Sequence, residues 1–158
     1  MPNWVRNIVK VSNDRAIGDC LVDGEFDFNK VIKMPENIFR GNLGLKEREK
    51  YGADNWYDWS CENWGTKWNA SETHKYGPRC VEFDTAWSTP EPVVQRLSKK
   101  YHCLVEVWYA DEGITDNSGY YSYDNGGYAG GYNGDSDFCD KVWCGDMVEE
   151  VKDGEKEN

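Results

Sequence analysis

The chain has 158 residues, the length of one domain with a single core. Aromatic residues make up 15% of it, so rings more than leucine fill that core, and no apolar run approaches the ~18 residues that a membrane helix needs. Net charge is −11, and all of the excess sits in residues 102–158, with 14 acidic side chains against 3 basic ones, whereas residues 1–101 carry 15 of each. Such a half repels a phosphate backbone, so no direct binding of duplex DNA by it is expected. No apolar segment follows Met1-Pro2-Asn3, so the expectation is a soluble protein that acts in the cytoplasm, away from any membrane.

Residues 3–11 alternate as a strand, with Val5, Val9 and Val11 on one face. Ser12-Asn13-Asp14 then offers caps for a helix to about Val22, although Gly18 weakens it. Residues 26–33 read as a second strand, closed by Met34-Pro35. From about 36 to 77 the pattern is irregular, with a charged helical turn or two over Leu45–Tyr51 and a dense set of rings. That length and composition predict an ordered insertion packed onto the main sheet. Residues 79–87 alternate Val81, Phe83 and Thr85 against Glu82 and Asp84, the pattern of a half-buried strand. Ser88 to Pro92 opens a helix that runs to about Tyr101, with Val93, Val94, Leu97 and Tyr101 at helical spacing. Residues 103–110 alternate again, and Trp108, on the polar side, is expected to meet the insertion.

Beyond Gly113 the composition turns to Gly, Tyr, Asn and Ser. Asp124-Asn125-Gly126-Gly127 predicts a hairpin turn within an appended segment of about 117–135. The rival reading is a low-complexity tract without fixed structure. Residues 138–151 have the apolar spacing of a closing strand or short helix, and 152–158 form a charged tail. The order is β-α-β-β-α-β: an α+β, ferredoxin-like antiparallel sheet with two helices on one face, a central insertion and an appended C-terminal hairpin, all in one domain over 1–151.

The chain is organised around Asn63-Trp64-Gly65-Thr66-Lys67-Trp68, answered by Asp84-Thr85-Ala86-Trp87. Trp4, Trp64, Gly65, Lys67, Trp68, Asp84 and Trp87 are read as structural core: Gly65 permits a tight turn and Lys67 lies along a ring face. Pro2-Asn3-Trp4, Phe28-Asn29-Lys30-Val31-Ile32 to Met34-Pro35, the hexapeptide, and Asp84-Thr85-Ala86-Trp87-Ser88 with Pro90 and Pro92 resemble, in that order, the YubB-like ferredoxin-fold family of phage and plasmid proteins. The resemblance covers roughly residues 2–110. It implies a ferredoxin-like fold and a mobile-element origin, and it carries no catalytic residue across. The tyrosine/glycine hairpin and the acidic end depart from the pattern.

Six cysteines at 20, 61, 80, 103, 139 and 144 contain no C-x-x-C, and free thiols are the expectation. A zinc site from Cys139, Cys144 and either His74 or His102 is an alternative; otherwise no metal and no cofactor is expected. Asp84, Glu82, His74 and Lys67 are titratable, but they fall in no nucleophile or metal pattern, so a non-enzymatic protein is expected. The sharper reading is an inhibitor from a mobile element. Asp111, Glu112, Asp116, Asp124, Asp135, Asp137 and Asp140 would offer a DNA-like field to a basic host protein, with Tyr120, Tyr121, Tyr123, Tyr128 and Tyr132 as contact area. The expected partner is a nucleic-acid-binding nuclease of a host defence system, above all a CRISPR-associated complex. The alternative is an aromatic pocket, lined by Trp64, Trp68 and Lys67, for a small nucleotide or single-stranded nucleic acid.

Overall fold

The strand that begins the chain ends up in the middle of its sheet. In a computed structural model, which describes residues 2–153, β1 (Trp4–Val11) pairs antiparallel on one side with β5 (Cys80–Ala86) and on the other with β6 (Leu104–Asp111). Both faces of β1 carry apolar side chains, Val5, Val9 and Val11 on one and Ile8 on the other, so only a doubly covered position buries them. β4 (Ser71–Lys75) adds beyond β5, and β7 (Ser118–Asp124) and β8 (Gly127–Asn133) add beyond β6, giving the order β4-β5-β1-β6-β7-β8. The four strands β4-β5-β1-β6 have the ferredoxin-like order, and the hairpin β7-β8 extends their sheet. The hairpin turn forms at Asn125-Gly126, both at positive φ (49° and 86°), as predicted.

One sheet face is covered by α3 (Glu91–Tyr101) together with the segment between β1 and β4. Val93, Val94 and Leu97 of α3 pack there with Phe26, Phe28, Trp64, Phe83 and Val107. The other face is covered by α4 (Ser136–Cys144) and α5 (Asp146–Asp153), whose Val142, Met147, Val148 and Val151 meet Ile8, Cys80 and Ala110.

Several sequence expectations are corrected here. No helix forms over 13–22. Asn13 turns its Oδ1 back onto the Arg15 N–H, Gly18 follows, and the chain manages only a 3-10 turn at Gly18–Cys20. Residues 26–33 are not a strand either. Extended pairing lasts only for β2 (Leu21–Val22) with β3 (Glu25–Phe26); the Asp27 carboxylate then takes the Asn29 N–H and caps a 3-10 turn at Phe28–Lys30.

The second strand of the ferredoxin-like order is β4, inside the region assigned to the insertion. Its sequence Ser-Glu-Thr-His-Lys has no apolar face to betray it. The insertion proper holds α1 (Leu45–Tyr51) and α2 (Trp56–Asn63). In place of two helices on one face, α3 covers one side of the sheet and the α4–α5 pair the other, because the appended segment returns as helices. β5 is buried along its whole length, on both faces. Trp108 packs beside Tyr120 in the α4–α5 layer, on the face away from the insertion. Of the charged tail, Lys152 and Asp153 close α5, and 154–158 lie outside the described residues. Among the described residues no helix is long and apolar enough to cross a membrane.

Candidate partner-binding surface

The predicted contact residues divide according to which way the β6–β7–β8 ladder points them. Tyr121 and Tyr123 face α3 and are buried at 5% and 7% exposure, with Tyr121 Oη bonded to Thr89 Oγ1 at 2.8 Å and the Tyr123 hydroxyl donating to Glu91. Burial, joined at Tyr123 by the bond to the Glu91 carboxylate, holds both phenols well above their ordinary range. They are core residues, not contact area. Tyr120 is half-buried on the opposite face and donates to Glu106 Oε2 at 2.6 Å; burial and that carboxylate push its pKa up to about 12. Tyr128 and Tyr132 remain open, at 63% and 58% exposure. Trp108, Tyr120, Tyr132 and Phe138 form a continuous ring ladder, with successive centroids 5.1, 5.1 and 6.1 Å apart.

Asp111 is also buried, and it shapes the loop that follows. Its Oδ1 accepts from the Gly113 N–H (2.8 Å), the Ile114 N–H (3.0 Å) and Asn3 Nδ2 (3.1 Å), and its Oδ2 accepts from Asn117 Nδ2 (3.0 Å). With these bonds the carboxylate is fully employed, and Glu112, Ile114 and Asp116 are turned outward. Asp135 caps α4 by accepting the Phe138 N–H at 2.9 Å, which starts the helix beside the same loop. A cleft of about 190 Å³ lies between loop and helix, lined by Glu112, Ile114, Thr115, Cys139, Asp140 and Trp143 among others. Glu112, Asp116, Asp135, Asp137 and Asp140 are thereby exposed around one end of the sheet. Asp124 is exposed too, but it sits at the hairpin turn, the far end of β7.

The tryptophan motif also divides. Trp64 is core as expected, 4% exposed, with Nε1–H donating to the Ile32 carbonyl at 2.9 Å. Gly65 has φ +77, and a Cβ there would lie 2.7 Å from Pro92 Cδ, so a glycine is required. Trp68 and Trp87, read as core, are instead exposed, at 37% and 43%. Lys67 Nζ stands 4.4 Å from the Trp68 ring and 4.7 Å from that of Trp87, and Trp4 is 5.9 Å from Trp68. A buried Trp64 cannot line a pocket with Trp68, so the nucleotide pocket expected from Trp64, Trp68 and Lys67 does not form.

Trp87 adopts φ +69, an unusual state for a bulky residue; its N–H donates to Asn3 O (2.9 Å), and its carbonyl accepts from Asn117 Nδ2 (2.7 Å). Asn3, Trp87, Asp111, Ile114 and Asn117 line a cleft of about 400 Å³, which joins the open tryptophans to the acidic loop. Nothing local in the chain announces this junction, because its three segments are remote from one another in sequence.

Asp84 and Glu82 are occupied internally. Arg6 donates from Nε to Asp84 Oδ1 (3.0 Å), approaches Glu82 Oε1 (3.8 Å) and lies 4.3 Å from the centre of the Trp143 ring under α4. Burial alone would lower the Arg6 pKa, but the bond and charge of Asp84, with the charges of Glu82 and Tyr76, leave it raised. Glu82 is raised by burial, against the pull of Arg6. The six cysteines are free thiols. Among the described residues, no group of three or more His, Cys, Asp and Glu side chains could hold a metal ion, so Cys139 and Cys144 are not brought together with His74 or His102.

The family model described as "Ferredoxin-like domain in Api92-like protein" matches residues 63–154. The chain belongs to that family. The family match runs through the hairpin, α4 and α5, so these are part of the shared domain, contrary to the expectation that they depart from the family pattern. The "Uncharacterized protein YubB" of Escherichia coli (strain K12) is 31% identical over 81 residues, a match covering 48% of this chain and 55% of that protein. The chain thus spans about half the length of this curated relative. The crystal structure of the protein api92 from Yersinia pseudotuberculosis is similar at a TM-score of 0.44 and 21% identity, over 52% of this chain and 31% of that one.

Proposed function

We propose that this domain is a non-enzymatic binding protein of a mobile element, and that its acidic end engages a basic, nucleic-acid-binding protein of the host in the host cytoplasm. One observation carries the reading. Glu112, Asp116, Asp137 and Asp140 stand exposed on an ordered loop and an adjoining helix, beside the open side chains of Ile114 and Trp87. Carboxylates around apolar anchors suit a protein partner: the rim sets orientation and encounter rate, and the buried ring supplies the affinity. A partner whose groove ordinarily holds DNA is blocked when that surface fills it. A CRISPR-associated nuclease complex is the first target to assay.

The test is direct binding of the purified chain to such a complex, with duplex DNA as competitor. DNA and the chain should exclude one another, affinity should fall as salt rises, and Asp137→Asn/Asp140→Asn should weaken binding about tenfold or more. Binding that ignores both salt and neutralisation would sink the reading. The second reading rests on Lys67 between the open rings of Trp68 and Trp87, where a nucleotide base could stack. It predicts quenching of tryptophan emission by nucleotides, lost in Trp87→Ala and retained in the Asp→Asn variants.

A further inference from the structure

The sheet ends differently on its two sides. At one edge β4 carries Glu72, His74 and Lys75, its register breaks between Ser71 and His74, and Glu72 has φ +53. Charge and irregularity of this kind keep a further strand from joining. At the other edge β8 reads Gly-Tyr-Ala-Gly-Gly-Tyr-Asn, without a charge or a proline, and is exposed along most of its length. Its register shift lies near the turn and leaves the pairs from Gly119/Asn133 to Ser122/Gly130 regular.

The ladder fixes which main-chain groups β8 leaves free. Gly134 N–H donates to Ser118 O at 3.0 Å, so Ser118/Gly134 is a hydrogen-bonded pair, and Tyr120/Tyr132 is the next. Gly131 and Asn133, between them, direct N–H and C=O away from β7. Among the described residues no strand pairs with that outer side. On the α3 face beside this edge lies a cleft of about 400 Å³, lined by Glu91, Tyr109, Tyr121, Tyr128, Gly131 and Asn133 among others. Tyr128 packs edge-on to Tyr123 on the α3 side, and Tyr132 stacks on Tyr120 on the α4 side, so a ring borders the edge on each face.

We propose that β8 is a strand-addition site that takes an extended, lysine- or arginine-bearing segment of the partner, an inference that rests on the proposed function above. Main-chain bonds to Gly131 and Asn133 would supply register, and the two tyrosines would receive alternate side chains. Charge selects the occupant. Exposed Asp124 lies at one end of the edge, Asp135 and Asp137 at the other, and Glu91 in the cleft. A second copy paired antiparallel would bring the Asp135 end of one β8 to the Asp124 end of the other, between chains of net charge −11. A basic segment meets the same groups with attraction.

The experiment is an NMR titration of the isotope-labelled full chain with a synthetic heptapeptide of alternating lysine and valine. Hydrogen exchange should slow about tenfold or more at the Gly131 and Asn133 amides. Asn133→Pro removes one outward N–H without touching the bonds to β7, and should abolish the protection at Gly131. A peptide with N-methylated backbone gives the same control on the unaltered protein. Shifts confined to Asp135 and Asp137, without amide protection, would overturn the inference and leave the acidic surface standing; so would no response to the peptide. Protection that is insensitive to salt and to Asp135→Asn/Asp137→Asn would overturn the charge argument here and in the proposed function alike. Protection that grows with protein concentration in the absence of peptide would make the occupant a second copy, and overturn the proposal.

Discussion

The two layers that cover the sheet are built on different principles. On the α3 side the packing is aromatic and dry: Phe83 lies 5.2 Å from Phe26 and 5.7 Å from Phe28, Phe28 lies 5.7 Å from Trp64, and all four rings are buried. On the α4–α5 side small sheet residues such as Cys80 and Ala110 meet short helices, and the Arg6–Asp84 pair runs beneath Trp143. Ring packing sets the shape of the first layer. The second is thinner, and its outer surface is free to be acidic. The ring packing is thus concentrated on one face of the sheet, and the acidic surface proposed for recognition stands on the helix that covers the other.

The difference should be largest in core truncations. Phe28→Ala removes a fully buried ring that touches three others, and should cost about 3–5 kcal/mol in denaturant unfolding. Met147→Ala in the thin layer should cost about 2 kcal/mol. Equal losses would break the comparison.

Next comes the ion pair. Asp84→Ala strips a mostly buried guanidinium of its main partner and should cost about 3 kcal/mol. Glu82 gives the same site a pH signature. Its folded pKa is raised by burial, so the folded state holds the proton more tightly than the unfolded one. That contribution is complete below the unfolded value and is lost as pH rises through the folded one. Glu82→Gln should flatten the stability profile across that window.

How far the sequence could reach follows the same division. Strands with an apolar alternation, β1, β5 and β6, and the helix α3 were legible because burial imposes period and cap together. β4 was not, since an edge strand of Ser-Glu-Thr-His-Lys has no buried face to print a pattern. The 13–22 segment misled because side chains that cap helices also close turns, and Asn13 does the latter. Glu112, Asp116, Asp135, Asp137 and Asp140 were expected at the surface from charge alone, and they are exposed. Asp111 carries the same charge and is buried, which only its four hydrogen bonds reveal. Trp87 was missed as a surface residue for the converse reason: an aromatic letter reads as core, and nothing local announces a positive φ.

That misreading yields a finer test. Trp64→Ala should cost about 3–5 kcal/mol, as for other buried rings. Trp87→Gly surrenders a half-exposed indole but relieves a left-handed backbone that costs a side chain about 1–2 kcal/mol. Its stability should stay within about 1 kcal/mol of the parent, while partner binding falls. Tryptophans of the two paired motifs would then be separated into a packing residue and a contact residue.

The smallest effects belong to the acidic rim, and their smallness is the point. Asp137 and Asp140 are exposed on α4 and form no ion pair among the described residues. Asp137→Asn and Asp140→Asn should each move stability by less than about 0.5 kcal/mol. Asp135→Ala differs, because it removes the cap on the Phe138 N–H, and should cost about 1 kcal/mol, whereas Asp135→Asn keeps the acceptor and should cost less. A rim that can be neutralised without thermal penalty is not held there by folding. If the Asn variants instead proved as damaging as Met147→Ala, these carboxylates would belong to the architecture of the second layer, and the separation of stability from recognition would fail.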